Sequence, residues 1–402
     1  MSGIIVIGAG QAGASLVIRL RALGYEGALT LIGGETVPPY QRPPLSKGYL
    51  LGEIGLDRLF LRPRDFYAGQ NIALRLGQWV TGIDPGAKVI RLGDEVLGYD
   101  QLALTTGSVP RRLPGAIGGG LAGVFTVRDL ADVDAMAPEF VAGRRVLIVG
   151  GGYIGLEAAA VAAKLGLEVT LAEAAPSILQ RVASSQTAEH FRALHKAHGV
   201  TILEGTGLDR LTGEGRVDTA ILSDGRQLPV DFVITGIGIA PATALAEAAG
   251  LRIENGIRTD AEGRTSDPSI WAAGDCASFP HQGGRLRLES VGHAIEQAEC
   301  VAANMLGAGR AYAARPWFWS DQYDVKLQIA GLNSGHDRVV TREEEGARSI
   351  WYYRGGKLLA LDAINSPKAY LVGKRVIDAG LSIDPESVRD TSLDLKSLLP
   401  GR

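Results

Sequence analysis

Cysteine is nearly missing: Cys276 and Cys300 are the only two among 402 residues. No Cys-x-x-Cys pair and no grouped Cys/His set occurs. This excludes a disulfide framework, a zinc or other metal site, a protein-borne iron-sulfur cluster and dithiol redox chemistry. Charge of one sign is lacking too: 41 basic side chains against 44 acidic ones leave a formal net charge of -3. Such a balance gives no footprint for wrapping a polyanion, so nucleic acid is not an expected partner. Long apolar runs are absent. The uncharged stretch Phe232 to Ala246 is 15 residues interrupted by Gly236, Gly238 and Pro241, short of the ~20 apolar residues a membrane span needs. Met1-Ser2-Gly3 leads directly into Ile4-Ile5-Val6-Ile7 with no basic region or cleavage site. No signal peptide is evident, and a cytoplasmic protein without a membrane partner is expected.

What is abundant is glycine, 54 residues with no Gly-X-Y period, which marks turns and close backbone approaches. Two of these glycine clusters echo each other. Ile4-Ile5-Val6-Ile7 precedes Gly8-Ala9-Gly10-Gln11-Ala12-Gly13, and Val146-Leu147-Ile148-Val149 precedes Gly150-Gly151-Gly152-Tyr153-Ile154-Gly155. Each apolar run reads as a buried parallel strand, and each Gly-x-Gly-x-x-Gly opens a helix, Ala14 to Leu23 and Leu156 to Leu165, stopped at Gly24 and Gly166. A second strand follows in each case, Leu29 to Ile32 and Val169 to Ala172, ending beside an acid, Glu35 and Glu173. A lone glycine motif is a weak signal. Strand, glycines, helix, strand and terminal acid together form a dinucleotide fingerprint, with the helix N-terminus facing the pyrophosphate. Two fingerprints in one chain imply two dinucleotides and redox chemistry.

Farther along, Val217 to Ile221 and Phe232 to Ile234 read as short strands around the turn Ser223-Asp224-Gly225-Arg226. From about Arg315 the texture changes: Trp317-Phe318-Trp319 cluster, Ser349 to Tyr353 and Leu358 to Ala363 flank a turn as an antiparallel hairpin, and Tyr370 to Ala379 reads as a helix packed on it. The expected fold is α/β, with two Rossmann-like dinucleotide-binding domains and a C-terminal α+β domain. Length alone, at ~150 residues per domain, allows two or three domains.

The order of motifs resembles the two-dinucleotide flavoproteins of the glutathione reductase type: flavin turn, Thr105-Thr106-Gly107 in place of the family's Ala-Thr-Gly, nicotinamide turn, then Ala273-Gly274-Asp275. Tyr40-Gln41-Arg42-Pro43-Pro44-Leu45-Ser46-Lys47 and Pro316-Trp317-Phe318-Trp319-Ser320-Asp321-Gln322-Tyr323 further resemble the oxygenase-coupled, NADH-dependent ferredoxin reductases, the putidaredoxin reductase type.

The resemblance implies FAD in a domain split as 1–112 and 237–314, an NADH domain at 113–236, and a C-terminal domain at 315–402. Gly8, Gly10, Ala12 and Gly13 would face the FAD pyrophosphate and Glu35 its adenosine ribose. Arg42, Lys47, Val80, Thr106, Gly107, Arg128, Gly274, Asp275, Val291 and Trp319 would complete the FAD set. For NADH the set is Gly150, Gly152, Tyr153, Ile154, Gly155, Glu157, Glu173, Arg181, Gly236 and Gly238. Two positions depart from the family: Gly34 stands where an aspartate is frequent, and Ala242 where asparagine is usual.

Hydride transfer requires nicotinamide C4 held against flavin N5 with water excluded. The resemblance places Lys47 toward N5, Glu157 beside the nicotinamide, paired with Lys47, and Trp319 near the isoalloxazine as the catalytic set, with Trp317 and Phe318 as packing. Glu173, 23 residues after Gly150, is suited to accept from the 2'-hydroxyl of NADH and to repel the phosphate of NADPH. Without a dithiol, electrons leave singly, to a [2Fe-2S] ferredoxin that serves a cytochrome P450 or a ring-hydroxylating oxygenase. Such acceptors are usually acidic, and Arg62, Arg64, Arg310 and Arg315 are candidate docking charges. His190, His195 and His198 fall on one helix ending at Gly199 and read as a surface helix rather than a metal site. Two other readings share both fingerprints: a redox signalling protein like apoptosis-inducing factor, and an NADH-quinone reductase anchored by the tail Leu393 to Leu399.

Overall fold

The computed structural model describes residues 3–399. By contact the chain divides into two compact units. The first runs to Arg42 and includes Ile54–Val109 and Ile239–Pro316; the second comprises Pro43–Glu53, Pro110–Gly238 and the chain from Trp317 onward.

The first unit is built on a five-stranded parallel sheet in the order Ile270–Ala272, Gln101–Leu104, Ile4–Ile7, Leu29–Gly33, Ala73–Leu76. Strand residues alternate between its faces. Ile4, Val6, Leu29 and Leu31 meet Leu16, Val17 and Leu20 of the helix Gln11–Ala22 and Ala298 and Val301 of the helix Val291–Met305. Ile5, Ile7, Ile32, Leu102 and Leu104 form the other core.

The second unit repeats this plan with the parallel order Thr201–Glu204, Glu168–Glu173, Arg145–Val149, Phe232–Thr235, Val124–Thr126. It also holds a five-stranded antiparallel sheet, Trp317–Gln322, Val325–Gly331, Lys357–Ile364, Ala347–Arg354, Arg338–Glu344, covered by the helix Pro367–Asp378. In both parallel sheets the strand order reverses at the central strand, and the glycine turn follows that strand, where open α/β sheets bind their ligands.

Both fingerprint helices start earlier than their glycine patterns suggest, at Gln11 and Tyr153 rather than Ala14 and Leu156. The second glycine of each motif is itself the N-cap, so the third lies inside the first turn. Pro43–Glu53 also groups with the second unit rather than with 1–112, because Ser46 and Lys47 bond to Glu157. The segment 113–236 and the chain from Trp317 onward form one unit. Among the described residues no helix is long and apolar enough to cross a membrane, and no cluster of His, Cys, Asp and Glu is arranged for a metal.

Candidate functional site

In the first unit Gly8 has φ +110°, and a Cβ there would stand 2.2 Å from the Thr105 carbonyl oxygen. A Cβ at Gly13 would stand 2.0 Å from the Gly8 oxygen, whereas one at Gly10 would meet nothing within 4 Å. First and third glycines therefore serve close packing, and the second leaves an open face. Gly10 caps its helix with no side chain bonded to the orphan N–H groups, which remain free for an anion.

The second unit reproduces these values. Gly150 has φ +109° with a notional Cβ 2.4 Å from the Gly236 oxygen, Gly155 would meet the Gly150 oxygen at 2.0 Å, and Gly152 faces open space as an uncapped N-terminus. Tyr153 and the exposed Ile154 form the first turn, and Arg181 approaches Gly238. These two cradles fit a pyrophosphate each.

Around the first cradle the Thr105 hydroxyl donates to the oxygens of Ile7 and Gly8. The Thr106 hydroxyl donates to the Ala242 oxygen at 2.7 Å, and the Ala242 N–H donates to Gly107; at Ala242 the backbone therefore makes the contacts. Ser108 donates to Asp275 at 2.9 Å, and Gly274 lies against Ala12. Val291 opens its helix behind the cap Ser290, and Val80 packs on the second core. Glu35 is held by the Tyr40 hydroxyl and by Arg42, each at 2.5 Å. Gly34 is explained by Trp79: a Cβ there would lie 2.2 Å from the indole ring. Of the residues expected around FAD, Lys47, Arg128 and Trp319 belong to the second unit and the others to the first.

In the second unit Glu173 turns both carboxylate oxygens to its own loop, accepting from the Gly151 N–H at 2.6 Å and the Ala175 N–H at 2.7 Å. Glu157, on the helix Tyr153–Lys164, is 3% exposed. Lys47 Nζ stands 2.9 Å from Oε1, the Ser320 hydroxyl donates to Oε1 at 2.7 Å, and the Ser46 hydroxyl donates to Oε2 at 2.9 Å. Burial pushes the Glu157 pKa up, and Lys47 and the two hydroxyls oppose it. The ion pair expected between Lys47 and Glu157 is thus present; Ser46 and Ser320, each beside a singled-out residue, went unread because 111 and 163 positions separate them from Glu157. Trp319 stacks on Trp317 with centroids 5.5 Å apart, and Phe318 packs on Tyr153 at 4.8 Å.

His195 overturns the surface-helix expectation. Its helix, Ser185–Ala197, does end before Gly199, but His195 is 0% exposed and bonded to Gln322 and Tyr323. Gln322, at the end of its strand, and Tyr323 just after it provide the partners that solvent would otherwise supply.

A pyrophosphate cradle on each of two parallel sheets and, in the second unit, an antiparallel sheet and a lysine paired to a buried glutamate are the features of a two-dinucleotide flavoprotein oxidoreductase. The chain matches the pyridine nucleotide-disulphide oxidoreductase family over residues 2–298 and the reductase C-terminal family over 317–399. It is 42% identical to a ferredoxin–NAD(P)(+) reductase of Sphingomonas sp, with 98% of this chain and 97% of that one covered. Against putidaredoxin reductase of Pseudomonas putida the identity is 40%, covering 98% and 96%. The crystal structure of the covalent putidaredoxin reductase–putidaredoxin complex superposes with a TM-score of 0.95 at 39% identity, covering 99% of this chain and 98% of that one. The chain belongs to the pyridine nucleotide-disulphide oxidoreductase family and, within it, to the ferredoxin reductases, flavoprotein enzymes whose cofactors are FAD and NAD(P)H.

Proposed function

We propose that this protein carries electrons from NADH through FAD to a [2Fe-2S] ferredoxin serving a cytochrome P450 or a ring-hydroxylating oxygenase, in the cytoplasm. The observation that carries this is the pair of equivalent cradles in a chain whose two cysteines are both free, Cys276 buried and Cys300 partly so. A dithiol relay is not available to them, so the acceptor takes electrons from the flavin directly. When bound, FAD supplies the conversion of a two-electron hydride donor into single electrons.

In this reading the Gly8–Gly13 turn and the uncapped helix after Gly10 hold the FAD pyrophosphate, and Asp275, steadied by Ser108, takes the ribityl hydroxyls. Gly150–Gly155 does the same for NADH. Glu173 pins the Gly151 and Ala175 amides, shaping that turn, and presents its remaining lone pairs to the ribose. Lys47 would bring positive charge to a bound flavin, and Glu157, which fixes the lysine, would orient the nicotinamide. Trp319, stacked on Trp317, would help to exclude water from the rings.

The quinone-reductase reading is disfavoured by the tail: Leu395 is buried and Leu398 and Leu399 pack on the C-terminal core, so these residues are not a free amphipathic face. The test is stopped-flow mixing of NADH-reduced protein with [2Fe-2S] ferredoxins. Cluster bleaching matched to flavin reoxidation supports the reading. Absence of bleaching, with slow NADH–ferricyanide turnover, favours the signalling alternative.

A further inference from the structure

A line of buried polar groups leads away from Glu157 and ends at the histidine that the hydride-transfer reading leaves unused. Ser320 and Gln322 sit two apart on one strand, so both side chains emerge on the same face. Both are 0% exposed, as is His195. The contacts run Ser320 Oγ to Glu157 Oε1 at 2.7 Å, Gln322 Nε2 to Ser320 Oγ at 3.1 Å, His195 Nε2 to Gln322 Oε1 at 2.8 Å, and Tyr323 Oη to His195 Nδ1 at 3.2 Å. His198 stacks on Tyr323 at the outer end, ring centroids 3.7 Å apart.

Each link dictates the next. An ionised carboxylate only accepts, so the Ser320 proton is committed to Glu157 and the serine oxygen is left as acceptor. Gln322 must therefore present its NH2 to Ser320 and its oxygen to His195. That oxygen accepts only, so His195 carries its proton on Nε2 and has a bare Nδ1, which receives the Tyr323 hydroxyl. All four donors point toward Glu157. Burial also lowers the His195 pKa, which favours the neutral ring.

We propose that Ser320, Gln322, His195 and Tyr323 form a one-way chain of hydrogen bonds that locks His195 in its Nε2–H tautomer and holds the Glu157 carboxylate, with its charge, against Lys47. They are positioning residues. The charge on Glu157 sets the tautomer of a ring three links away, and the ring's fixed dipole returns stabilisation to the carboxylate. The placement of Glu157 beside the nicotinamide rests on the proposed function; the direction of the chain does not.

Two measurements separate these ideas. In FAD-loaded protein with labelled histidine, the ring nitrogen shifts of His195 are expected to show a single neutral Nε2–H tautomer, and Glu157→Gln is expected to produce a tautomer mixture, because an amide at position 157 can donate as well as accept. A charged ring, an Nδ1–H ring, or a tautomer unmoved by Glu157→Gln overturns the chain. Rapid-mixing reduction by NADH is then expected to slow by about tenfold in Ser320→Ala, about fivefold in Gln322→Met and about twofold in Tyr323→Phe, one hydrogen bond of ~0.5–1.5 kcal/mol being lost with decreasing leverage. Equal rates in all three, with the tautomer as expected, leave the chain intact and remove Glu157 from the nicotinamide. Tyr323→Phe, at the outer end, keeps the test open where a core variant misfolds.

Discussion

The Glu173 carboxylate accepts the backbone N–H of Gly151, the middle of the three consecutive glycines, at 2.6 Å. The acid that ends the second strand thus braces the very turn that cradles the dinucleotide, and its other oxygen braces Ala175. Bonds of this charge-assisted kind contribute about 1.5–3 kcal/mol.

Replacing Glu173 with alanine removes the brace and the charge together. The NADH kcat/KM is expected to fall by tenfold or more, about 1.4 kcal/mol per decade, and preference for NADH over NADPH to narrow. Steady-state kinetics with both coenzymes checks this; an unchanged ratio refutes the assignment of Glu173 to the ribose.

Gly34→Asp, which installs the family's frequent residue, is expected to weaken FAD binding instead of strengthening it. The new Cβ enters the Trp79 ring at 2.2 Å, and overpacking costs about 1–3 kcal/mol unless the neighbour moves. Trp79 is 74% exposed, so Trp79→Ala combined with Gly34→Asp should recover most of the loss. Titration of apoprotein with FAD, followed by flavin fluorescence, reads both.

Lys47→Met leaves Glu157 buried without its cation, and breaking a buried pair costs about 3–5 kcal/mol. Flavin reduction by NADH is expected to slow by about two orders of magnitude, the usual effect of removing one charge from a reacting centre. Single-turnover absorbance decides it, and a rate within a factor of about two of the parent excludes Lys47 from the chemistry.

Asp362 gives a stability prediction away from the hydride-transfer residues. It is 1% exposed, accepts from Thr187 at 2.7 Å and from Tyr352, and burial pushes its pKa up to about 6. The folded chain holds this proton to about pH 6, the unfolded chain only to about pH 4. Its contribution favours folding fully below pH 4 and is lost as the pH rises through 6, on the order of 3 kcal/mol in all. Asp362→Asn is expected to flatten the dependence of the urea midpoint on pH across this window.

Ferredoxin reduction should slow as salt is added if Arg62, Arg64, Arg310 and Arg315 steer an acidic partner, because exposed charges are screened beyond about 10 Å at 0.1 M. Stopped-flow rates across ionic strength measure it. A salt-independent rate rejects charge steering.

Much of the architecture was legible because its determinants are local. A strand, a glycine turn, a helix and a second strand fit within about thirty residues, and sterics at Gly8, Gly13, Gly150 and Gly155 allow few alternatives. The hairpin around Arg354-Gly355-Gly356-Lys357 was also readable, since turn chemistry is short-range. Helix starts were displaced by three residues because the motif alone does not say which glycine is the cap.

The sequence by itself determined two dinucleotide cradles, the acids that follow them and the lack of a thiol relay. Only the tertiary structure decided which polar side chains meet: Glu157 with partners 111 and 163 positions away, His195 drawn inside, Trp79 laid over Gly34, Glu173 turned onto its own loop. The reason is physical. Backbone sterics act between neighbours in the chain, whereas a buried charge takes whatever donors packing delivers, and that packing is settled by elements the local pattern does not contain.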